Sequence, residues 1–230
     1  MRICKTVIIV LGVISLAWQA WAGAVPAEVL LIRHGEKPPK GNNLNVRGMQ
    51  RAQALVPLFA NMPFYSSNTG GTTAVYGVPV AIYARGQKKA TSSARPIETV
   101  TPLAKQLGVS INHAIDTDTF SPKNAKKYAH MYYDLVNEIL GNPAYNGQKV
   151  LICWEHDAIP TIAQAFLDKA GGASLPKALV SPKNFVKFDR IYRIHFNQHT
   201  KQATKIENLA QALLYGDSSP STSVYYHLKI

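Results

Sequence analysis

The run Val29-Leu-Leu-Ile32 leads without a break into Arg33-His34-Gly35-Glu36, and this junction constrains the fold more than any other stretch. Four consecutive apolar residues with no polar alternation specify a strand covered on both faces, as in an α/β sheet. A second junction of the same kind is Lys149-Val-Leu-Ile-Cys-Trp154, which ends in Glu155-His156-Asp157. Between them Val80 to Tyr83 reads as another buried strand. A basic, hydroxyl-rich segment, 85–93, then leads to a helix with Arg95 in its first turn. Ile97, Val100, Ala104 and Leu107 mark that helix's buried face, Gly108 its stop and Ser93 its expected N-cap, while Pro102 predicts a kink or a late start. Ligands of open α/β sheets bind beyond the carboxyl ends of the strands. Arg33, His34, Arg95, His156 and Asp157 are therefore expected at one edge of one sheet.

The remaining segments fit the same class. Asn45 is placed to cap a helix with Met49, Ala52, Val56 and Phe59 at helical spacing. Residues 64–78 are polar, glycine-rich and long for a connection, which suits either a substrate-binding loop or a surface insertion. Ile111 to Ile115 reads as a strand. Ser121-Pro122 opens a helix carrying Ala125, Tyr128, Tyr132, Leu135 and Ile139, and Pro160 opens another carrying Ile162, Ala163, Phe166 and Ala170. Asp189 to Phe196 alternates like a strand, and Val224 to Ile230 reads as a last edge strand. The expected architecture is a three-layer α/β/α sandwich, with a mainly parallel sheet and helices on both faces.

The amino terminus carries a different signal. Arg2 and Lys5 precede an apolar core, Thr6 to Ala17, too short to span a bilayer, and Ala20-Trp-Ala22 or Ala22-Gly-Ala24 offers small residues for cleavage. Residues 1–24 are accordingly expected to be a secretory signal peptide and 25–230 a single domain, exported to the periplasm or secreted. Cys4 would leave with the signal, so Cys153 would be the mature chain's single thiol, buried in its strand. No cluster has structural-zinc spacing, and neither metal nor cofactor is expected. Lys and Arg outnumber Asp and Glu by 25 to 13, a formal charge of +12 that favours anionic partners. The basic residues are scattered, with no aromatic-basic block, which argues against specific nucleic-acid recognition.

Two arginines and two imidazoles converging on one sheet edge suit a phosphoryl group held at several oxygens. Hydrolysis of a phosphate monoester needs fixed positive charge and an aligned nucleophile. In this light the chain resembles the histidine phosphatase superfamily, with its phosphoglycerate mutase-like fold. The matching residues are Leu31-Ile-Arg-His-Gly-Glu36, Leu44-Asn-Val-Arg-Gly-Met-Gln-Arg-Ala52, Ser93-Ala-Arg-Pro-Ile-Glu-Thr99 and Val150-Leu-Ile-Cys-Trp-Glu-His156. They occur in order, and the resemblance runs from about residue 28 to 170. The resemblance implies that His34 is a nucleophile forming phosphohistidine, that Arg33, Arg95 and His156 make the phosphate pocket, and that no metal is needed. It implies a small-molecule phosphate ester or another phosphorylated substrate as partner. A mutase-type phosphotransferase and a non-catalytic anion-binding protein of the same fold are the alternatives.

The general acid does not follow directly from the resemblance. Asp157 resembles the aspartate of the His-Asp pair of acid phosphatases, with a helix N-cap as the competing role. Because Ile159 precedes a proline, the helix is expected to start at Pro160 and leave Asp157 outside. Asp116, Asp118, Glu36 and Glu155 are the rivals, Glu155 being expected to face away from His156 if the strand runs through it. His113, His130, His195, His199 and His227 read as packing or surface residues.

Overall fold

The computed structural model describes residues 24–60, 65–66, 71–72, 76–115, 125–180 and 187–228. Apart from Ala24, the expected signal peptide lies outside the described residues, as do Asp116, Asp118, Ser121-Pro122 and most of 64–78. The elements, in chain order, are β1 (Glu28–Arg33), α1 (Val46–Phe59), β2 (Tyr65–Ser66), β3 (Gly71–Thr72), β4 (Ala81–Ala84), α2 (Arg95–Leu107) and β5 (Ile111–Asn112). Then come α3 (Ala125–Gly141), β6 (Lys149–Trp154), α4 (Ile159–Lys169), α5 (Lys177–Val180), β7 (Arg190–Phe196), β8 (Ala203–Ala210) and β9 (Val224–His227). Among the described residues, no helix is long and apolar enough to cross a membrane.

Seven strands form one α/β sheet in the order β5-β4-β6-β1-β7-β8-β9, while β2 pairs with β3. The first four run parallel to one another, and β7, β8 and β9 continue the sheet antiparallel. The sheet is thus mixed, which corrects the expectation of a mainly parallel one. The cause lies in the connections. Only residues 197–202 join β7 to β8, too few for the crossover a parallel pair needs. Asn197 tightens that turn by accepting hydrogen bonds from the amides of His199 (2.8 Å) and Thr200 (3.0 Å).

Central strand β1 meets apolar side chains on both sides, as its unbroken run requires. Val29 and Leu31 join a core with Tyr132, Leu135 and Ile139 of α3 and Ile162 and Phe166 of α4. Leu30 and Ile32 join another with Leu55 and Phe59 of α1 and Val100 and Leu103 of α2. Cys153 is a free buried thiol in β6, and burial pushes its pKa well above the usual range.

Several boundaries differ from the sequence reading for identifiable reasons. Asn45 does cap α1, its side chain accepting from the Gly48 amide at 2.8 Å, but the buried face is turned. Met49 is 53% exposed, whereas Arg51 is 1% exposed between two carboxylates. Ala94, not Ser93, is the N-cap of α2, and the helix continues through Pro102 instead of starting late. No side chain caps it; the Ala94 amide is satisfied by the Asn42 carbonyl at 3.0 Å. β5 is only two residues long, and β8 has no counterpart among the expected strands. In β8 the buried positions do not alternate, because Glu207 lies inside, accepting hydrogen bonds from Arg193 and His195.

Candidate active site

Adjacent strands β4, β6 and β1 all point the same way, so their carboxyl ends lie side by side. That edge carries Arg85 just after β4, Glu155-His156-Asp157 after β6, and Arg33 with His34 at the end of β1. β7 runs antiparallel to β1, so residues 188–189, just before it, come to the same edge. Backbone bonds fix the junctions to one another: the His34 amide donates to the Trp154 carbonyl (3.1 Å) and the Arg85 amide to the Cys153 carbonyl (3.2 Å).

His34 is 2% exposed, and its ring is oriented from behind. Nδ1 lies 2.7 Å from the Gly35 carbonyl oxygen. A carbonyl can only accept, so Nδ1 carries the proton and Nε2 keeps its lone pair. The Gly35 amide donates to Thr99 Oγ1 (2.8 Å), and that hydroxyl donates to the Arg95 carbonyl (2.7 Å). The turn holding His34 and the first turn of α2 holding Arg95 are thereby tied together. Two glycines allow the close approach on the other side. A Cβ on Gly48 would stand 2.3 Å from the Glu36 carbonyl oxygen, and one on Gly35 would stand 2.9 Å from the Gly48 carbonyl oxygen.

Electrostatics follow from burial and crowded positive charge. Burial, then the charges of Arg33, Arg95 and His156, hold the His34 pKa down to about 3, against the opposing Gly35 hydrogen bond. Burial lowers His156 as well, with Arg33 adding to the effect, and it lowers Arg95. Arg33 is brought down to about 10 by burial, with Asp157 opposing, and so remains charged at neutral pH. His34 is thus an uncharged imidazole beside fixed guanidinium charges.

A pH titration checks this directly. The His34 ring resonance in a ¹H–¹³C spectrum, identified by its loss in His34→Gln, should stay constant from pH 8 to 4.5, while an ordinary histidine titrates near about 6.5. A midpoint near 6 would contradict the buried, neutral ring. The same shift has a sign for stability. Between the ordinary value and about 3 the unfolded chain takes up a proton that the native ring refuses, so this group lowers stability as pH falls through that window.

The carboxylates at the edge separate into distinct environments. Glu36 is bound to Arg51 (2.6 and 3.0 Å) and Arg47 (3.1 Å), which commits both of its oxygens to ion pairs. Glu155 does not continue the strand: β6 stops at Trp154, the condition for its facing away fails, and its side chain reaches Arg85 Nε at 2.7 Å. Burial pushes its pKa up to about 7, with Arg85 opposing. Asp157 lies outside α4, whose N-cap is Ala158 and whose first residue is Ile159, one before the expected start. It therefore does not cap the helix. Its Oδ1 is buried with no hydrogen-bond partner among the described residues, and its charge acts on Arg33, His156 and Glu155.

Three residues at this edge escape a reading of the sequence alone. Arg85 is 2% exposed and donates to the Ser93 carbonyl (2.8 Å) as well as pairing with Glu155. A signal for it exists, since it follows β4 as His34 follows β1, but it sits in a basic run that looks solvated. Thr99 gives no sequence cue beyond its place one helical turn after Arg95. Phe188 gives none: its ring centroid lies 3.7 Å from the Arg33 guanidinium carbon and 5.9 Å from the His34 ring. Among the described residues, no group of three His, Cys, Asp or Glu side chains could hold a metal ion.

Compared with models of known protein families and with curated proteins, the chain matches none.

Proposed function

We propose that the protein is an exported phosphatase of the histidine phosphatase type, acting on a phosphomonoester through a phosphohistidine at His34. The observation that carries the proposal is the orientation of His34: Nδ1 is tied to the Gly35 carbonyl, so Nε2 keeps its lone pair on a ring that feels the positive charges of Arg33 and Arg95. The two apolar cores on opposite sides of β1 support a three-layer α/β/α arrangement of the phosphoglycerate mutase-like kind. The basic composition suits an anionic substrate, and the apolar amino-terminal segment suits export of a single catalytic domain, 25–230.

In this reading Arg33, Arg95 and His156 hold the phosphoryl oxygens, and the His34 Nε2 lone pair attacks phosphorus in line with the ester oxygen. The P–N bond forms as the P–O bond to the alcohol breaks, and the departing oxygen takes a proton from a carboxylic acid. Water then attacks the phosphohistidine, giving a proton to the same carboxylate as the P–N bond breaks, which returns the electron pair to Nε2, regenerates the acid and releases inorganic phosphate. Asp157 is assigned the acid role because its unpartnered buried oxygen lies among the phosphate-binding charges, while Glu36 is locked in ion pairs. Glu155 is the second choice: burial favours its protonated form, but Arg85 engages one of its oxygens.

Hydrolysis of a generic aryl phosphate by the purified protein, unchanged by a chelator, is the expected result. Phosphate binding without turnover would instead favour an anion-binding protein, and transfer between two phosphate esters a mutase. Arg95→Ala should lower kcat by roughly 10²–10³-fold with the fold intact, since it removes a charge that meets the phosphoryl group in the transition state. Arg95→Lys should recover little, because a point charge lacks the forked contact. Steady-state kinetics with circular dichroism as the folding control checks both, and an undiminished kcat for Arg95→Ala would place that residue outside the site.

A further inference from the structure

We infer that Phe188 is a positioning residue for the phosphate pocket, stacking on the Arg33 guanidinium and holding its donors toward the phosphoryl site. The inference rests on the phosphate-binding reading of that edge and adds to it a residue from a different part of the chain. The ring lies 3.7 Å from the guanidinium carbon, well within the distance at which an aromatic face attracts a cation. It also flanks His34 at 5.9 Å, tilted by 56°, so one side chain borders both the phosphate-binding arginine and the nucleophile. A guanidinium resting on a ring face keeps its plane, and its N–H groups lie in that plane, the geometry of a forked contact with phosphate oxygens. It thus loses less freedom when the anion binds.

The placement of Phe188 is itself built. Its neighbour Asp189 is buried, accepts from the Ser218 amide through Oδ2 and, through its carbonyl, from the Gln211 amide at 2.8 Å. Gln211 is fully buried; it donates to the Arg190 carbonyl (3.2 Å) and accepts from Arg51 Nη1 (2.9 Å). Arg51 in turn grips Glu36, two residues beyond His34. A continuous hydrogen-bonded chain therefore fixes the start of β7 relative to the end of β1, and with it the ring relative to Arg33.

The test is calorimetric titration of inorganic phosphate into the purified protein and its variants, with melting temperature as the folding control. Phe188→Leu keeps apolar bulk but loses the ring face, and should weaken phosphate binding by roughly 3- to 30-fold. Phe188→Tyr keeps the face and should stay within about twofold of the parent. A structural role alone would not produce that split between leucine and tyrosine. Should Phe188→Leu fail to fold, Phe188→Met makes the same comparison. Equal phosphate affinity in the parent and Phe188→Leu would overturn this inference while leaving the phosphate site standing, as would a loss in Phe188→Tyr as large as in Phe188→Leu. A parent protein that binds no phosphate would overturn both.

Discussion

His34→Ala should abolish turnover of an aryl phosphate and, with it, any phosphorylated form of the protein. The expectation comes from the ring's surroundings. Nδ1 is held by the Gly35 carbonyl, and the ring sits in a buried, positively charged pocket that keeps it neutral down to about pH 3. A neutral Nε2 beside Arg33 and Arg95 suits nucleophilic attack, whereas a protonated ring could not attack. The resulting phosphoramidate is acid-labile and base-stable. Rapid mixing with ³²P-labelled substrate and an alkaline quench should therefore trap label at His34 in the parent and none in His34→Ala. Phosphate affinity should survive in the variant, through Arg33, Arg95 and His156. Turnover without trapped label, or full activity in His34→Ala, would end the covalent reading.

Much of this edge is legible from residue order alone, because each residue follows a strand whose unbroken apolar run marks it as buried. Arg33, His34, Glu155, His156 and Asp157 come to one sheet edge for that reason. Arg95 was reachable through the helix that starts at it, although its supposed cap, Ser93, gives way to Ala94. What the sequence does not disclose depends on contacts between distant segments. Phe188 reaches Arg33 only because β7 runs antiparallel beside β1. That polarity is a matter of how β7 pairs with β1, which leaves no periodic pattern in either strand. β8 hides for a related reason: Glu207 occupies a buried position that alternation assigns to an apolar residue, and its partners, Arg193 and His195, lie on the neighbouring strand. Arg51 is the same case on a helix. A charged residue beside Ala52 reads as solvent-facing until its two carboxylates, one of them far along the chain, are in place.

Arg51→Met should be strongly destabilising. The guanidinium is 1% exposed and meets Glu36 at 2.6 and 3.0 Å, Asp217 at 2.8 and 2.9 Å and Gln211 at 2.9 Å. Despite its own burial, which works the other way, Asp217 has a pKa lowered by the hydrogen bond from Arg51. Methionine fills similar volume but leaves two carboxylates facing each other in a dry site. Arg47 can compensate only in part, since its bonds to Glu36 and Asp217 are both 3.1 Å and its side chain is 42% exposed. Removing one partner of such a buried pair costs about 3–5 kcal/mol, which lowers Tm by roughly 6–20 °C for a chain of this size. Adding Glu36→Gln and Asp217→Asn to Arg51→Met should recover part of the loss, because the stranded charges go with their partner. Acid supplies an independent check with a definite sign. Asp217's contribution is present above the ordinary carboxylate range and disappears as pH falls through its depressed native value, so the gap in Tm between parent and Arg51→Met should narrow on acidification. Differential scanning calorimetry at neutral and acidic pH measures both, and a neutral-pH drop under about 3 °C would show that the network does not hold α1 to the end of β1.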